Sequence, residues 1–392
     1  MKTRKIAAPL ALNNKGGFSK NVVLTLEGNT IKNIEENVEN IDSLSSVEYY
    51  DGVLMPGMVN GHCHLELSYL LGQVGEGKGL VEFIREIMAV RGDFPFELQE
   101  QKAIAEDRKM YSEGVQGLCD ISNGEASYQA KKTSEIDYYT YAEYFNMPDD
   151  DKVEAYYRSV TQHVEPARAL GLKISPTPHS NYMVGDKLFL RGVQDAQRLS
   201  IHFMETPSEV DYFQKEGKMY HFVAGDDMTP DFLHYGTHEN RIIESIPADM
   251  PLLLVHNTMI TPDQIDKLSA HFKDLTFVIC PRSNYFIERA YSPAMLLWQK
   301  GVNVSIGTDS LTSNHSLTMA LEIDMLMRNN PELPLEVVLS WATLGGARAM
   351  GRESEWGTFE VGKSGGVVLL EGIDFGTLRP VESQQLSTRR LL

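Results

Sequence analysis

Cysteine is scarce in this chain, and the three cysteines that are present cannot all be paired. Cys63, Cys119 and Cys280 each lie in an apolar, strand-like run. Disulfide frameworks belong to oxidising compartments, whereas buried, reduced thiols are typical of cytosolic proteins. The cysteine content therefore predicts a cytoplasmic protein.

Positive charge is scarce as well, with 36 Lys and Arg against 54 Asp and Glu and a net charge of -18. Such an excess of negative charge repels phosphate backbones and anionic membrane surfaces, so we expect neither nucleic acid nor membrane as a partner. No apolar run approaches the roughly 18 residues of a membrane helix. The apolar run 6–12 contains Pro9 and is too short for a signal peptide.

The chain also lacks a Gly-x-Gly-x-x-Gly fingerprint after its first strand, which disfavours the alternative of a doubly wound sheet. Instead, strand-like runs alternate with segments of helical periodicity. The predicted strands are 55–59 leading to His62, 115–121, 138–145, 173–177, 199–203, 251–255, 276–279 and 302–306. The predicted helices are 98–113, 153–170, 186–198, 261–272, 317–328 and a closing helix at 336–350. This alternation predicts an α/β fold of the (β/α)8 TIM-barrel class.

Both ends of the chain have strand composition instead, which predicts a small β-sandwich domain formed by residues 1–54 and 355–392. Residues 55–354 then form the barrel. The polar tail 379–392 is expected to be poorly ordered. The insertion 207–250 is expected either to form part of a lid or to be a plain excursion.

Histidines and acids follow the predicted barrel strands, at the C-terminal strand ends where barrel enzymes place their active sites. The first strand leads to two histidines at i and i+2, which point to the same side of a strand. The residues concerned are His62 and His64 (first strand), His179 (fourth), His202 and Glu205 (fifth), His256 (sixth) and Asp309 (eighth).

These residue types suit a catalytic metal centre. Zinc binds imidazole and carboxylate ligands, and a catalytic site keeps one position open for water, whose pKa the metal lowers. The predicted ligands are His62, His64, His202 and Asp309.

The other strand-end residues are predicted to act on the water and the substrate. Glu205 is a candidate to contact the substrate and to carry a proton to it from the water. His256 is expected to polarise the attacking water, and His179 to contact the substrate.

Several motifs resemble the amidohydrolase superfamily, in its branch of nucleobase, nucleoside and triazine deaminases and chlorohydrolases. The matching pieces are Pro56-Gly-Met-Val-Asn-Gly-His-Cys-His64, His202-x-x-Glu205, Leu254-Val-His-Asn257, Cys280-Pro-x-Ser-Asn284 and Gly307-Thr-Asp-Ser-x-x-Ser-Asn314. The resemblance covers nearly the whole chain. It implies a single metal bound by the four predicted ligands, a proton shuttle at Glu205, and catalytic roles for His256 and Asp309.

Within this branch, two short stretches resemble aminodeoxyfutalosine deaminases, which remove the 6-amino group of a modified adenosine. They are His64-Leu-Glu-Leu-Ser68 and Gly79-Leu-Val-Glu-Phe-Ile84. The chain departs from the family in its substrate loop, where His179-Ser-Asn181-Tyr replaces the usual His-Ala-Pro-Tyr or His-Ser-Pro-Tyr.

Three further residues are predicted to bind substrate. Glu66 imitates the His-x-Glu of cytidine-type zinc deaminases, but the Pro-Cys-x-x-Cys partner is absent, so we expect it in the pocket wall or behind the ligands. Aminodeoxyfutalosine carries a benzoate, and a buried carboxylate requires a cationic partner, for which Arg91 and Arg282 are the candidates. The remaining histidines on predicted helices and in the insertion are expected mostly at the surface: His163, His221, His234, His238 and His271.

The resemblance implies a metal-dependent hydrolase that deaminates an aromatic amine, first of all a small 6-aminopurine nucleoside such as aminodeoxyfutalosine. Zinc is the expected metal, with iron and manganese as alternatives, and a homodimer is a further expectation. The enzymatic alternatives are a methylthioadenosine/S-adenosylhomocysteine-type deaminase, a chlorohydrolase, and a two-metal amidohydrolase, although Lys173 begins the fourth strand and so faces the wrong rim. A catalytically inactive barrel acting as a binding protein is the alternative of another class.

Overall fold

The computed structural model describes residues 3–225 and 228–392. The strands are β1 (Thr3–Leu12), β2 (Phe18–Glu27), β3 (Thr30–Glu35), β4 (Glu48–Tyr49), β5 (Val53–Pro56), β6 (Met58–Cys63), β7 (Val115–Ser122), β8 (Asp137–Tyr144), β9 (Ile174–Pro178), β10 (Leu199–Phe203), β11 (Leu252–His256), β12 (Leu275–Ile279), β13 (Val304–Ile306), β14 (Val367–Glu371), β15 (Ile373–Asp374), β16 (Arg379–Pro380) and β17 (Ser387–Arg390).

The α-helices lie mainly between these strands. They are α1 (Leu80–Val90), α2 (Phe96–Glu113), α3 (Tyr128–Thr133), α4 (Val153–Val160), α5 (Val164–Ala169), α6 (Asp186–Asp195), α7 (Pro207–Val210), α8 (Gly217–Ala224), α9 (His238–Ser245), α10 (Pro262–His271), α11 (Pro281–Glu288), α12 (Ala294–Lys300), α13 (Met319–Asn329), α14 (Leu335–Ser340) and α15 (Gly346–Ala349). Within the described residues, no helix is long and apolar enough to cross a membrane.

Two four-stranded parallel sheets form the centre of the fold, in the orders β6-β7-β8-β9 and β10-β11-β12-β13. Single parallel bridges join them at both junctions, between Ser180 and His202 and between Cys63 and Asp309. Consecutive parallel strands with helices between them fit the TIM-barrel type that the sequence predicts. Every residue of β10 and β11 is buried, as expected of parallel strands covered on both faces, although β10 includes the polar residues Ser200 and His202.

A seven-stranded sheet joins strands from both ends of the chain, in the order β17-β14-β5-β1-β2-β3 with β4 beside β1. The prediction of a poorly ordered tail is therefore wrong, since β17 pairs antiparallel with β14. Backbone hydrogen bonds to β14 hold this polar strand in place. The guanidinium of Arg390 also donates to the carbonyls of Tyr111 and Val115, at 2.8 Å each.

The predicted helix 153–170 is two helices, α4 and α5, separated around Thr161. The hydroxyl of Thr161 donates to the carbonyl of Tyr157 at 2.7 Å, which competes with the continuation of the helix. His163 lies at this break and is buried near the Tyr128 ring, so the expectation of a surface position is wrong for it.

Candidate metal centre and active site

The structure brings the four predicted ligands together at the C-terminal strand ends. His62 lies in β6, His202 lies in β10, and both are buried together with His64 and Asp309. The Nε2 atoms of His62 and His64 are 3.7 and 3.6 Å from Asp309 Oδ1. The His202 ring centroid is 5.0 Å from that of His62. The ligand atoms of His62, His64 and Asp309 form one group, whereas the ligand atom of His202 groups with those of His62 and His256.

Backbone and hydroxyl contacts position Asp309. The N–H groups of Thr308 and Asp309 donate to the carbonyl of His62, both at 3.0 Å. This approach requires Gly307, because a Cβ there would lie 2.9 Å from the backbone of His62. The hydroxyls of Ser283 and Ser313 donate to Asp309 Oδ2 at 2.6 and 2.8 Å, so Oδ1 is left to face the histidines.

The donor set fits a divalent metal ion. Both ring nitrogens of His62 and Nδ1 of His64 are buried without a hydrogen-bond partner among the described residues. The ligand atoms of His62, His64 and Asp309 lie within 4.8 Å of one another. Burial lowers the pKa of His64 to about 3. Burial opposes ionisation of Asp309, yet the nearby imidazoles of His62 and His64 hold its pKa well below the usual value. Metal binding requires an unprotonated imidazole and an ionised carboxylate, and the pKa shifts of His64 and Asp309 both go in that direction.

Glu205 and His256 lie beside these ligands. Glu205 Oε1 is 3.6 Å from His256 Nε2. Burial raises the pKa of Glu205 well above its usual value and lowers the pKa of His256. The amide of Asn284 donates to Ser292, so its oxygen faces His256 Nδ1 at 2.8 Å. Nδ1 therefore carries the proton of a neutral ring, and Nε2 is an acceptor.

A strained turn aims Glu205, and Glu209 holds that turn. Met204 has a φ of 50°, which places a non-glycine residue in the left-handed region. The N–H groups of Met204 and Glu205 donate to the two carboxylate oxygens of Glu209 at 2.8 and 2.9 Å. His238 donates from Nε2 to the carbonyl of Glu209 at 2.9 Å and is itself buried, so the expectation of a surface position is wrong for it.

Replacement of Glu209 by Gln is expected to lower kcat with little change in KM and no loss of metal. The amide presents a donor to one of the two N–H groups, and an unsatisfied buried N–H costs about 1–3 kcal/mol. Because this cost falls on the turn that orients Glu205, we expect turnover to fall roughly tenfold to hundredfold. Steady-state kinetics with elemental analysis tests this, and an unchanged kcat would show that the turn holds without Glu209.

His179 and Asn181 show how the substrate loop is built. The His179 ring stacks on the His202 ring with a centroid distance of 4.3 Å. The backbone carbonyl of His179 lies 2.9 Å from His202 Nδ1. Asn181, where the family has proline, donates from Nδ2 to the carbonyl of His238 at 3.0 Å. The departure from the family motif thus ties this loop to α9.

Glu66 lies behind the cavity wall. Its carboxylate accepts the N–H groups of Asn123 and Gly124 at 2.8 and 3.1 Å, and burial raises its pKa to about 7. Asn123 itself lines the cavity. Glu66 therefore does not line the cavity itself but holds the loop that carries Asn123.

The two candidate arginines lie in different places. Arg91 follows α1 and lines the cavity. Arg282 donates from Nε to Asn314 Oδ1 at 3.0 Å, lies 3.8 Å from Glu322, and does not line the cavity. The structure brings only the first of them to the substrate space.

Sequence reasoning missed Glu143, which lies in β8 and lines the cavity. Its Oε1 is 3.4 Å from His202 Nδ1, and its Oε2 accepts from Asn123 Nδ2 at 3.1 Å. Burial raises its pKa to about 7. The available signal was a carboxyl near the end of a predicted, largely apolar strand.

One cavity of about 380 Å³ reaches the metal ligands. Its lining is polar around the predicted metal ligands and largely apolar where α1 and the insertion 207–250 contribute to it. The apolar residues from these two segments are Leu80, Phe83, Ile84, Ile87, Met88, Phe222, Val223 and Met228. The insertion thus contributes to the cavity wall, although Asp226 and Asp227, which belong to it, lie outside the described residues.

Comparison with known proteins gives consistent matches. The model of the amidohydrolase family matches residues 53–387. A 5-methylthioadenosine/S-adenosylhomocysteine deaminase of Caldanaerobacter subterraneus is 27% identical over 364 residues, covering 88% of this chain and 79% of that protein. An aminodeoxyfutalosine deaminase of Deinococcus radiodurans is 27% identical over 325 residues, covering 76% and 73%. The structure of Helicobacter pylori aminofutalosine deaminase in complex with methylthio-coformycin superposes with a TM-score of 0.77 at 20% identity, covering 95% of this chain and 93% of that one.

Proposed function

Because the chain belongs to the amidohydrolase family, we propose that it is a metal-dependent hydrolytic deaminase of a 6-aminopurine nucleoside. The observation that carries this proposal is the geometry at the inner end of the cavity. There, the predicted histidine ligands and the Asp309 carboxylate adjoin a carboxyl, Glu205, whose pKa burial raises and whose Oε1 is 3.6 Å from His256 Nε2. Metal ligands and an acid–base pair on one cavity are the requirements of hydrolysis at an aromatic carbon.

His62, His64, His202 and Asp309 would hold the metal ion, and three imidazoles with one carboxylate favour zinc. When bound, such an ion lowers the pKa of water so that a nucleophile is available near neutral pH.

The chain's own residues do the remaining work. Glu205 delivers a proton to the ring nitrogen as water adds to the carbon that bears the amino group. His256 accepts a hydrogen bond from the water at Nε2. One proton of the water replaces the proton that Glu205 gives up. The proton of the added hydroxyl then passes through Glu205 to the amino group, the carbon–nitrogen bond breaks, and ammonia leaves the 6-oxopurine product.

The apolar part of the cavity lining indicates the rest of the substrate. Its apolar wall suits an apolar or aromatic substituent on the ribose side, and Arg91 is the only Lys or Arg among the described residues that line the cavity. This combination favours aminodeoxyfutalosine, whose benzoate needs a cationic partner. The apolar wall by itself also fits methylthioadenosine, which is the second candidate.

Several wider features are part of the same proposal. The two parallel sheets close as one (β/α)8 barrel spanning residues 55–354, and residues 1–54 with 355–392 form the small sandwich domain. The three free, buried cysteines favour a cytoplasmic location. The homodimer stays a prediction.

The proposal is tested with metal-loaded protein and a panel of adenine nucleosides that differ at the 5′ position, with release of ammonia as the readout. We expect ammonia and the 6-oxopurine product in equal amounts from at least one of them. Absence of ammonia from the whole panel would contradict a nucleoside deaminase.

Replacement of Arg91 by Met is expected to raise KM for a carboxylated nucleoside and hardly to affect adenosine or methylthioadenosine. A charge-assisted hydrogen bond contributes about 1.5–3 kcal/mol, which is roughly a tenfold to hundredfold effect. Arg282→Met is the matched comparison, because Arg282 lies against Glu322 and Asn314 and any loss should be equal for all substrates. If Arg91→Met raises KM equally for the carboxylated and the uncharged nucleosides, Arg91 has a structural role and does not bind the carboxylate.

A further inference from the structure

One side chain, Glu288, joins the first turn of α1 to the turn that carries Glu205. Its Oε1 accepts the N–H of Leu80 at 2.8 Å and the hydroxyl of Thr206 at 2.6 Å. Leu80 is the first residue of α1, and Thr206 directly follows Glu205. Glu288 ends α11, is half-buried and does not line the cavity. A residue outside the cavity thus connects two elements that both contribute to its lining.

Hydrogen bonds continue from Thr206 to the backbone of Glu205. The hydroxyl oxygen of Thr206 accepts from the N–H of Ser208 at 3.3 Å and caps the N-terminus of α7. Glu209 belongs to that helix, and its carboxylate holds the N–H groups of Met204 and Glu205. A shift of Thr206 therefore also shifts the residue that delivers the proton.

The other end of this connection is the apolar wall of the cavity. The residues of α1 that line the cavity are Leu80, Phe83, Ile84, Ile87 and Met88. The N–H of Gly79, just before α1, donates to the carbonyl of Ile287 at 3.0 Å, so the start of α1 rests on the end of α11. Glu288 adds to this contact the side chain that also reaches Thr206.

The connection gives a substrate group on α1 a way to act on the reaction. Binding energy from a part of the substrate that does not react can be used to orient the groups that do, and a truncated substrate then loses kcat as well as affinity. A group that packs against α1 favours one position of the helix, and Glu288 links that position to Thr206. The substituent acts only to the extent that it binds this arrangement better than others.

We propose that Glu288 is a positioning residue that couples the apolar wall of α1 to Glu205, so that a substrate group on this wall raises turnover as well as affinity. The kinetic part of this inference rests on the proposed nucleoside deaminase function, in which the group is the 5′ substituent.

Two nucleosides that differ only in that group test the coupling, namely 5′-methylthioadenosine and 5′-deoxyadenosine. We expect the unmodified, metal-loaded protein to turn over the first with a kcat roughly tenfold higher. Glu288→Ala removes both hydrogen bonds, and the ratio of the two kcat values should then fall to about one, with little change in KM or bound metal. Glu288→Gln should restore the ratio, because its amide oxygen can accept from both Leu80 and Thr206.

Glu86→Ala is the matched control. Glu86 also belongs to α1, but its carboxylate accepts from the N–H of Gly75 at 2.8 Å and pairs with Lys78 rather than with the turn that carries Glu205. We expect the ratio of the two kcat values to stay at the unmodified level in this variant.

Hydrogen exchange tests the same link without a substrate. In Glu288→Ala the backbone amides of residues 203–206 should exchange faster than in the unmodified protein, whereas those of β11 should not change. Glu288→Gln should restore the protection. This measurement does not depend on the reaction that the protein catalyses.

Three results would overturn the coupling. The same kcat for both nucleosides in the unmodified protein would mean that the wall does not act on turnover. A ratio that Glu288→Ala leaves unchanged would mean that the substituent acts by another route. Unchanged exchange at residues 203–206 in Glu288→Ala would show that Glu288 does not hold the turn. Failure of the proposed function is a separate outcome, in which the unmodified protein releases no ammonia from either nucleoside and hydrogen exchange decides the link.

Discussion

Replacement of Glu205 by Gln is expected to leave the metal in place and to remove most of the turnover. Glutamine keeps the size of the side chain but cannot deliver a proton, and a general acid–base group typically contributes about 10²- to 10⁴-fold in rate. Glu205 is 4% exposed and lies outside the predicted ligand set, so the loss is not expected to come from refolding of the site. Single-turnover kinetics with elemental analysis of the same preparation measures both parts.

Glu239→Gln is the matched control for this variant, because Glu239 is a buried glutamate that does not line the cavity and instead accepts from Gln264 and Lys267. We expect it to retain the rate. A Glu205→Gln protein with a near-normal rate would assign the proton transfer to another carboxyl group.

Replacement of Asp309 by Asn is expected to release the metal and, with it, the activity. The amide oxygen can still accept from Ser283 and Ser313, which donate at 2.6 and 2.8 Å, so the local fold is preserved. The charge that faces His62 and His64 is lost. Since loss of an outer partner of a ligand already costs about 10- to 100-fold in metal affinity, loss of the ligand itself should cost more.

Elemental analysis after dialysis against a weak chelator measures the metal that Asp309→Asn retains. Asp107→Asn is the control, because Asp107 is a buried aspartate that accepts from Ser134 and Tyr138 away from the cavity. Metal retained at the unmodified level in Asp309→Asn would exclude Asp309 from the ligand set.

The strand ends explain why much of the site could be predicted from sequence. In a parallel α/β fold the C-terminal ends of the strands meet on one side, so His62, His202, His256 and Asp309 converge whatever the details of the helices. The continuous apolar run at the start of β11 also marked its position closely, since a strand buried on both faces has no polar alternation.

Because barrel strands are buried on both faces, the sequence did not reveal that Glu143 faces the cavity. In a strand that is apolar on both faces, periodicity does not tell which side chain faces the cavity and which faces the helices. Arg282 shows the complementary limit, since its position after β12 did not reveal that Glu322 and Asn314 would hold it. Long-range contacts decide such cases. They also bury His238 against Glu209 and pair β17 with β14 through the backbone.

The measurement that tests the account most directly is reconstitution of metal-free protein with increasing zinc, with ammonia release from the preferred nucleoside followed at each step. The account predicts that the rate rises in proportion to bound metal and levels off at about one metal per chain. Absence of ammonia at every metal content, or a rate that keeps rising to about two metals per chain as in two-metal sites, would contradict it.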